Sequence, residues 1–454
     1  MQTLTVIGAG YVGLSTAVAM AMAGHRVYLF ERNSQRRTDL QQGILPFSEP
    51  NLENALLLQK ERIVITDDLA TAVDASSIIM LAVGTPPTPA QGVDLTQVFD
   101  AVHQLAPHLD QTARVIVVKS TVPVGTSQEI QKLLEEIAPN AIFALASNPE
   151  FLRQGRALRD AVFPDRIVIG TSQNWALEVL RALYAPLEHG NLAVPPELEP
   201  YRPDKPIPIL EVSLASAELA KYAANAFLAM KISFINEIAN VCDSTNADID
   251  QIVAVLAQDS RIGKDFLRPG LGYGGSCFPK DTRALSHLAS RRGYEFRLLR
   301  AVIEVNSEQR YRALERLERV LAGYRGKRIA VLGLSFKPET DDLRESVGID
   351  IALELMARGA IVTAHDPMMP KAAPVQIQIK ARLEDCLAGV DAAILVTEWL
   401  DYQEADWTQL GQSMKQKIML DGRNALDAQA MRLAGFTYLA IGRNQHQIKR
   451  RVTI

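Results

Sequence analysis

Cysteine is scarce in this chain. Three cysteines in 454 residues, an odd number, cannot make a disulfide framework, and they point to a reducing, cytoplasmic setting. No second Cys or His lies at ligand spacing from Cys277, so no metal site is expected there. A strong charge of one sign is also missing. With 48 Lys and Arg against 52 Asp and Glu, the net charge of −4 argues against general affinity for nucleic acid or an anionic membrane. It leaves room for a local basic pocket. Residues 2–24 carry no charge, yet they lack a basic n-region and are broken by glycines, so they read neither as a membrane span nor as a leader. No short-period repeat is found. What remains, 48% hydrophobic and 22% charged, is the composition of a globular enzyme, and the length asks for two or three cores.

The chain opens with "LTVIGAGYVG", an apolar strand running into glycines, then a small-residue helix and a second strand, "HRVYLFE". Further strand runs end in turns at "SIIMLAVGTPP", "ARVIVVKSTVPVGT" and "IFALASNPEF". Strands alternating with helices predict a parallel doubly wound sheet, with ligands at the carboxyl ends of its strands. From 187 to 210, six prolines rule out a regular helix and predict an exposed loop or linker. The following pattern, "SLASAELAKYAANAFLAMKISFINEIANVCDSTN", is apolar on most faces and predicts a long helix buried between domains or subunits. After "LAGYRGK" a fresh strand, "RIAVLGLSF", begins a second α/β sheet whose first turn lacks GxGxxG, which argues against a second dinucleotide site. The expected fold class is thus two Rossmann-like doubly wound parallel-sheet domains joined by a long central helix. The expected boundaries are 1–210 (with a Pro-rich insertion near 188–208), 211–322 and 323–454.

Gly8, Gly10 and Gly13 form GxGxxG between a strand and a helix, and Glu31 closes the next strand. The spacing fits a pyrophosphate at the helix N-terminus and a carboxylate on the ribose hydroxyls, favouring NAD over NADP. Neighbouring Arg32, Arg36 and Arg37 pull the other way. Lys221 and Asn225 lie four apart on the apolar helix. They can stabilise a developing oxyanion, or Lys221 can simply snorkel. Cys242 and Cys386 read as core residues. Cys277, in "GLGYGGSCFPKD", sits where a ligand can approach the backbone, with Lys280 near enough to favour a thiolate. It is either a nucleophile or incidental. An NAD site with a nucleophilic cysteine suggests two hydride transfers around a covalent intermediate, with Glu150 or a water placed near Thr121 for hydrolysis.

With "VGTPP", "VKSTVPVGT", "NPEFL", "ELAKYAANAFLAMKISFINE", "RIGKDFLRPGLGYGGSCFPKD", "GLSFKPETDDLRES" and "DGRN" in order, nearly the whole chain resembles the UDP-glucose/GDP-mannose dehydrogenase family. The resemblance implies an N-terminal NAD domain, a central dimerising helix and a C-terminal nucleotide-binding domain. It also implies four-electron oxidation of a sugar C6 alcohol to a carboxylate. On matched positions Cys277 is the nucleophile, Asp281 helps activate water or the lysine, and Lys221 and Asn225 flank the C6 oxygen. Thr121 and Glu150 position the hydrolytic water. Substrate is expected at Glu150, Phe151, Leu152, Arg153 and Gln154, and at the loop Phe266, Leu267, Arg268, Pro269, Gly270. Tyr273, Gly274, Lys337 and Arg423 are expected to meet it as well, with Arg261 arriving from a partner subunit. NAD is expected at Val12, Glu31, Arg36, Thr85, Thr121, Gln154, Lys280 and Arg344, besides the glycines. The implied partners are a UDP-sugar and another copy of the chain, as a homodimer or higher homo-oligomer, with no nucleic acid and no membrane.

Three departures stand out. Gln154 replaces a usual glutamate and cannot act as a base. Residues 188–208 are longer than the usual connection, and Glu31 stands where aspartate is usual. The cysteine loop looks more like the UDP-glucose branch than the GDP-mannose or UDP-N-acetylmannosamine branches. Those substrates remain alternatives. So do a two-electron hydroxyacid-type dehydrogenase and a non-catalytic NAD-binding sensor, although the intact Cys277, Lys280, Asp281, Lys221 and Asn225 set speaks against the last.

Overall fold

The computed structural model describes residues 1–190, 192–370 and 373–443. The chain divides into two compact units, Met1–Ala224 and Asn225–Ile454. In the first, eight strands form one sheet: β1 (Thr3–Ile7), β2 (Arg26–Phe30), β3 (Ile63–Thr66), β4 (Ile78–Leu81), β5 (Arg114–Val118), β6 (Phe143–Ser147), β7 (Ile167–Gly170) and β8 (Ile209–Val212). Their order, β3-β2-β1-β4-β5-β6-β7-β8, contains the dinucleotide-binding order, with its reversal between β1 and β4. The sheet is parallel from β3 to β6. β7 then runs antiparallel to β6 and pairs parallel with β8, a two-strand extension that the alternation of motifs did not announce.

These segments are strands because both sheet faces are covered, which favours unbroken apolar runs. β4 and β5 are buried at every position. Alternate residues serve opposite cores: Val6, Met80 and Val117 pack on one face, and Ile7, Leu81 and Val118 on the other. The stretch 2–24, rejected above as a span, forms β1 and the buried helix Tyr11–Met22. Among the described residues no helix is long and apolar enough to cross a membrane.

The proline-rich segment differs from expectation. Leu192, Leu198 and Ile207 are buried in the same core as β1. Arg202 ties the segment down through Glu199 at 2.9 Å and the Leu192 carbonyl at 3.0 Å, and Arg159 stacks 3.9 Å from the Tyr201 ring. Between the end of the helix at Glu188 and β8 the prolines leave only a short 3₁₀ turn, Glu199–Tyr201, among the described residues, but the apolar residues between the prolines still find core positions.

In the second unit six strands, β9 (Arg328–Leu332), β10 (Ile361–His365), β11 (Gln378–Ile379), β12 (Ala392–Leu395), β13 (Ile418–Asp421) and β14 (Thr437–Ala440), form an all-parallel sheet in the order β11-β10-β9-β12-β13-β14. The spine helix, Leu214–Ser244, has 31 residues and so runs about 46 Å. Its expected burial is incomplete within one chain: Phe227, Phe234 and Val241 are 59%, 52% and 55% exposed.

Candidate functional site

The cofactor turn follows from sterics. Gly8 has φ +104°, and a Cβ there would stand 2.8 Å from the Ala82 carbonyl oxygen. A Cβ on Gly13 would meet the Gly8 carbonyl oxygen at 1.9 Å, so the first helix can pack this closely only with glycine. A Cβ on Gly10 would meet nothing within 4 Å, and the turn's open side is there. It faces a cleft of about 430 Å³ lined by Gly8, Gly10, Glu31, Arg36, Gly84 and Gln97, among others. Glu31 ends β2 with its carboxylate accepting the Asn33 N–H at 2.9 Å and lying 3.4 Å from Arg36. Val12 lies on the first helix, and Thr85 and Thr121 follow β4 and β5, at their carboxyl ends. An open glycine, a helix N-terminus and an acid at the end of β2 fit a dinucleotide.

Past β5 and β6 lies a buried charge cluster. Lys221 and Glu150 are 4% and 8% exposed and pair at 3.0 Å. The Leu152 N–H also donates to Glu150, at 2.5 Å. Burial pushes the Glu150 carboxyl up, but the Lys221 charge, the Leu152 N–H and the Lys119 charge together hold it below its ordinary range. The burial expected to make Lys221 costly is therefore real, and a carboxylate offsets it. Lys119, which the sequence reading missed, donates to Asn148 Oδ1 at 2.9 Å, and burial pushes its ammonium down to about 8.

The loop after β6 is held from several sides. Arg153 forms a two-pronged pair with Asp160 at 2.8 and 2.6 Å, and Arg166 covers Phe151 at 3.7 Å from its ring centroid. Glu49, also missed, accepts the Gly155 and Ala157 N–H groups at 2.7 and 2.6 Å, and the Tyr11 hydroxyl. Gln154 stands between these anchors. Nothing in "FSEPNLEN" distinguishes Glu49 from a surface acid.

In the second unit Cys277 immediately precedes the helix Phe278–Arg291, and its own carbonyl accepts the Asp281 N–H at 2.8 Å. A thiolate is favoured at a helix N-terminus. Asp281 is 1% exposed and accepts the Asn225 amide at 2.6 Å, while its other oxygen pairs with Lys280 at 2.8 Å. Lys280, expected to favour the thiolate, makes its ion pair with Asp281, one helical turn past Cys277. Arg344, bonded first to Asp342, also feels the charge of Cys277, and both hold its guanidinium above its ordinary range. The glycines crowd the cysteine loop for a steric reason: a Cβ on Gly274 would meet the Glu345 carbonyl oxygen at 2.2 Å.

Of the remaining expected residues, Tyr273 is fixed by Asn306 through both its N–H (2.7 Å) and its carbonyl (3.0 Å). Gly270 donates to Asn236 at 2.8 Å and lies against Arg423, whose guanidinium also bonds the Val396 carbonyl at 2.8 Å. Phe266 has φ +62°, packs near Phe278, and leads into Leu267, Arg268 and Pro269. Leu267 is buried in the core, so its side chain is unavailable to a ligand. Lys337 lies 5.7 Å from the centroid of the Phe336 ring. Arg261 is 88% exposed and paired with Asp259.

A Rossmann order with an open glycine turn and an acid following β2 defines a dinucleotide-binding fold. The match is more particular than that. The NAD-binding, central and UDP-binding domains of the UDP-glucose/GDP-mannose dehydrogenase family match residues 2–188, 215–308 and 330–428, and the chain belongs to this family. UDP-glucose 6-dehydrogenase TuaD of Bacillus subtilis is 38% identical, covering 98% of this chain and 94% of its own. A UDP-glucose 6-dehydrogenase of Rhizobium meliloti is 40% identical over 97% and 99%. The structure of a UDP-glucose dehydrogenase from Pyrobaculum islandicum superposes with a TM-score of 0.87 at 36% identity, covering 98% of each chain.

Proposed function

We propose that this protein oxidises UDP-glucose to UDP-glucuronate, with two NAD reduced and one water consumed per sugar. The observation that carries the reading is chain-long identity of 38–40% to relatives named UDP-glucose 6-dehydrogenases. NAD, when bound, accepts the hydride lost from C6 in each of two oxidations. Lys221 and Asn225 stabilise the C6 oxygen as its proton passes to water in the first. The Cys277 thiolate then adds to the aldehyde carbon, forming a C–S bond, and the resulting alkoxide rests on the same two donors. Loss of the second hydride leaves a thioester. Glu150 takes a proton from water held near Thr121 as the water oxygen bonds to the C6 carbon, the C–S bond then breaks, and Cys277 departs as a thiolate. Asp281 orients Asn225, which the 2.6 Å bond between them supports.

In this reading 1–210 holds NAD, 211–322 supplies the spine and cysteine loop, and 323–454 holds the UDP group. Lys337 and Arg423 serve as its phosphate partners. The exposed Phe227, Phe234 and Val241 recur every seven residues and form one apolar stripe, which we assign to a second copy of the chain. Light scattering should give about twice 49.9 kDa, and a monomer would remove that assignment. Because its thiol must stay reduced to act, a reducing cytoplasm is the setting this reading assigns to the enzyme.

The deciding experiment counts NADH per mole of sugar consumed for UDP-glucose, UDP-galactose, UDP-N-acetylmannosamine and GDP-mannose. Two NADH and a uronate from UDP-glucose are expected. One NADH and a carbonyl product would leave only two-electron chemistry.

A further inference from the structure

Glu150 carries a negative charge in a buried place, and its ion-pair partner in the structure is Lys221. If Lys221 turns its ammonium to the C6 oxygen, as the proposed function requires, that pairing is lost while Glu150 must still be ionised to accept a proton from water. A carboxylate this buried, without a counter-charge, would take up a proton instead. A second buried cation, Lys119, lines the same cavity as Glu150. We propose that Lys119 is a positioning residue for the hydrolytic step, a fixed buried counter-charge that keeps Glu150 ionised while Lys221 serves the sugar. The proposal rests on the roles given above to Glu150 and Lys221.

The geometry fixes Lys119 where it is. Its Nζ donates to Asn148 Oδ1 at 2.9 Å, and the same oxygen accepts the Tyr184 hydroxyl at 2.5 Å. Asn148 cannot turn, because its Nδ2 donates to the Val168 carbonyl at 2.7 Å. Lys119, Asn148, Glu150 and Tyr184 border one small cavity of about 50 Å³, room for about one or two waters. The other charges on that wall are matched: Asp160 pairs with Arg153 at 2.6 Å, and Arg166 lies 3.9 Å from Asp165. Tyr184 is held neutral, since burial pushes its phenol far up. Two lysines therefore share one carboxylate. This fits the ease with which Lys119 loses its proton, burial being the first cause and the Lys221 charge a further one. Held on Asn148, Lys119 is the cation that stays when Lys221 moves.

The sign follows. The Lys119 charge lowers the pKa of Glu150, so removing it raises that pKa and moves the acid limb of the turnover profile upward. Lys119→Gln keeps a donor for Asn148 but loses the charge. It should shift the acid limb up by about one pH unit, a tenfold loss at a given pH on that limb, and leave the plateau within about twofold. On the limb a thioester on Cys277 should accumulate, read as a covalent mass increment, while formation of the first NADH keeps its wild-type pH dependence. Lys119→Arg, always charged, should restore the limb. Asn148→Asp, which sets a negative charge beside Lys119, should shift it like Lys119→Gln, and serves if Lys119→Gln does not fold. A uniform loss across pH with an unmoved limb, or a shift in Lys119→Arg equal to that of Lys119→Gln, overturns the proposal. Failure of the proposed function itself would show earlier and separately, in the wild-type enzyme, as one NADH per sugar.

Discussion

The six-stranded sheet repeats the order of the first six strands of the eight-stranded one, and in each a glycine of positive φ follows the first strand, Gly8 at +104° and Gly333 at +97°. Each also ends its second strand near an acid, Glu31 and Asp366. They differ in where that acid points. The Glu31 carboxylate bonds residues of its own neighbourhood, Asn33 and Arg36, and borders an open cleft. Asp366 is completely buried and turned back onto the first turn, where one oxygen accepts the Leu334 and Ser335 N–H groups at 2.7 and 2.8 Å. The N–H groups that would cradle a phosphate are already taken by a carboxylate from the protein itself. Missing glycines argued against a second dinucleotide site there, and the turned-in Asp366 gives the physical reason. One topology thus supports two uses: an open turn that receives a ligand, and a closed turn that contributes stability.

If that contrast is right, chemistry in the second unit belongs to the cysteine loop and not to its sheet. Cys277→Ser should lower uronate formation by about a thousandfold or more, since a serine hydroxyl is a far weaker nucleophile near neutral pH. NAD affinity and thermal stability should stay near wild type. Cys242, buried in the core of the same unit, should tolerate serine with turnover within about twofold and a cost of about 1–2 kcal/mol in stability. Equal loss of activity from both changes would remove the distinction between loop and core.

The closed turn can be opened. Asp366→Ala leaves two buried N–H groups without their acceptor and should cost about 2–4 kcal/mol, measured by denaturant unfolding of the second unit's transition. NAD affinity should not change. A weaker NAD complex with unaltered stability would mean that the second turn also takes part in cofactor binding.

How much of this was readable beforehand depended on the kind of signal. β4 and β5 could be read because a strand covered on both faces is an unbroken apolar run. The glycine turn was readable because sterics demand glycine at Gly8 and Gly13. Lys221 could be singled out because a lysine within an apolar helix stands out, but its partner Glu150, 71 positions earlier, carries no periodic mark. Lys119 was invisible for the same reason. At the end of "VIVVKS" it looks like a strand terminus reaching solvent, and only the fold brings Asn148 to it. Charges whose partners are distant in sequence, such as Glu49 with Gly155 and Ala157, are fixed by topology, and local pattern does not encode topology.

The smallest expected effect tests the open turn. Glu31→Gln removes one negative charge at the mouth of the cleft but keeps an acceptor for the Asn33 N–H. The ribose hydroxyls lose a charge-assisted bond, so the dissociation constant for NAD should rise about tenfold, equivalent to about 1.4 kcal/mol. Stability should barely move, because Glu31 supports no buried N–H of the turn in the way Asp366 does. The preference for NAD over NADP should also narrow, since the charge that would oppose a 2′-phosphate is gone while Arg36, 3.4 Å from Glu31, remains. Isothermal titration with both dinucleotides measures the two effects together. If Glu31→Gln instead lowered the melting temperature as far as Asp366→Ala and left NAD affinity intact, both acids would be structural and the contrast between the two turns would fail.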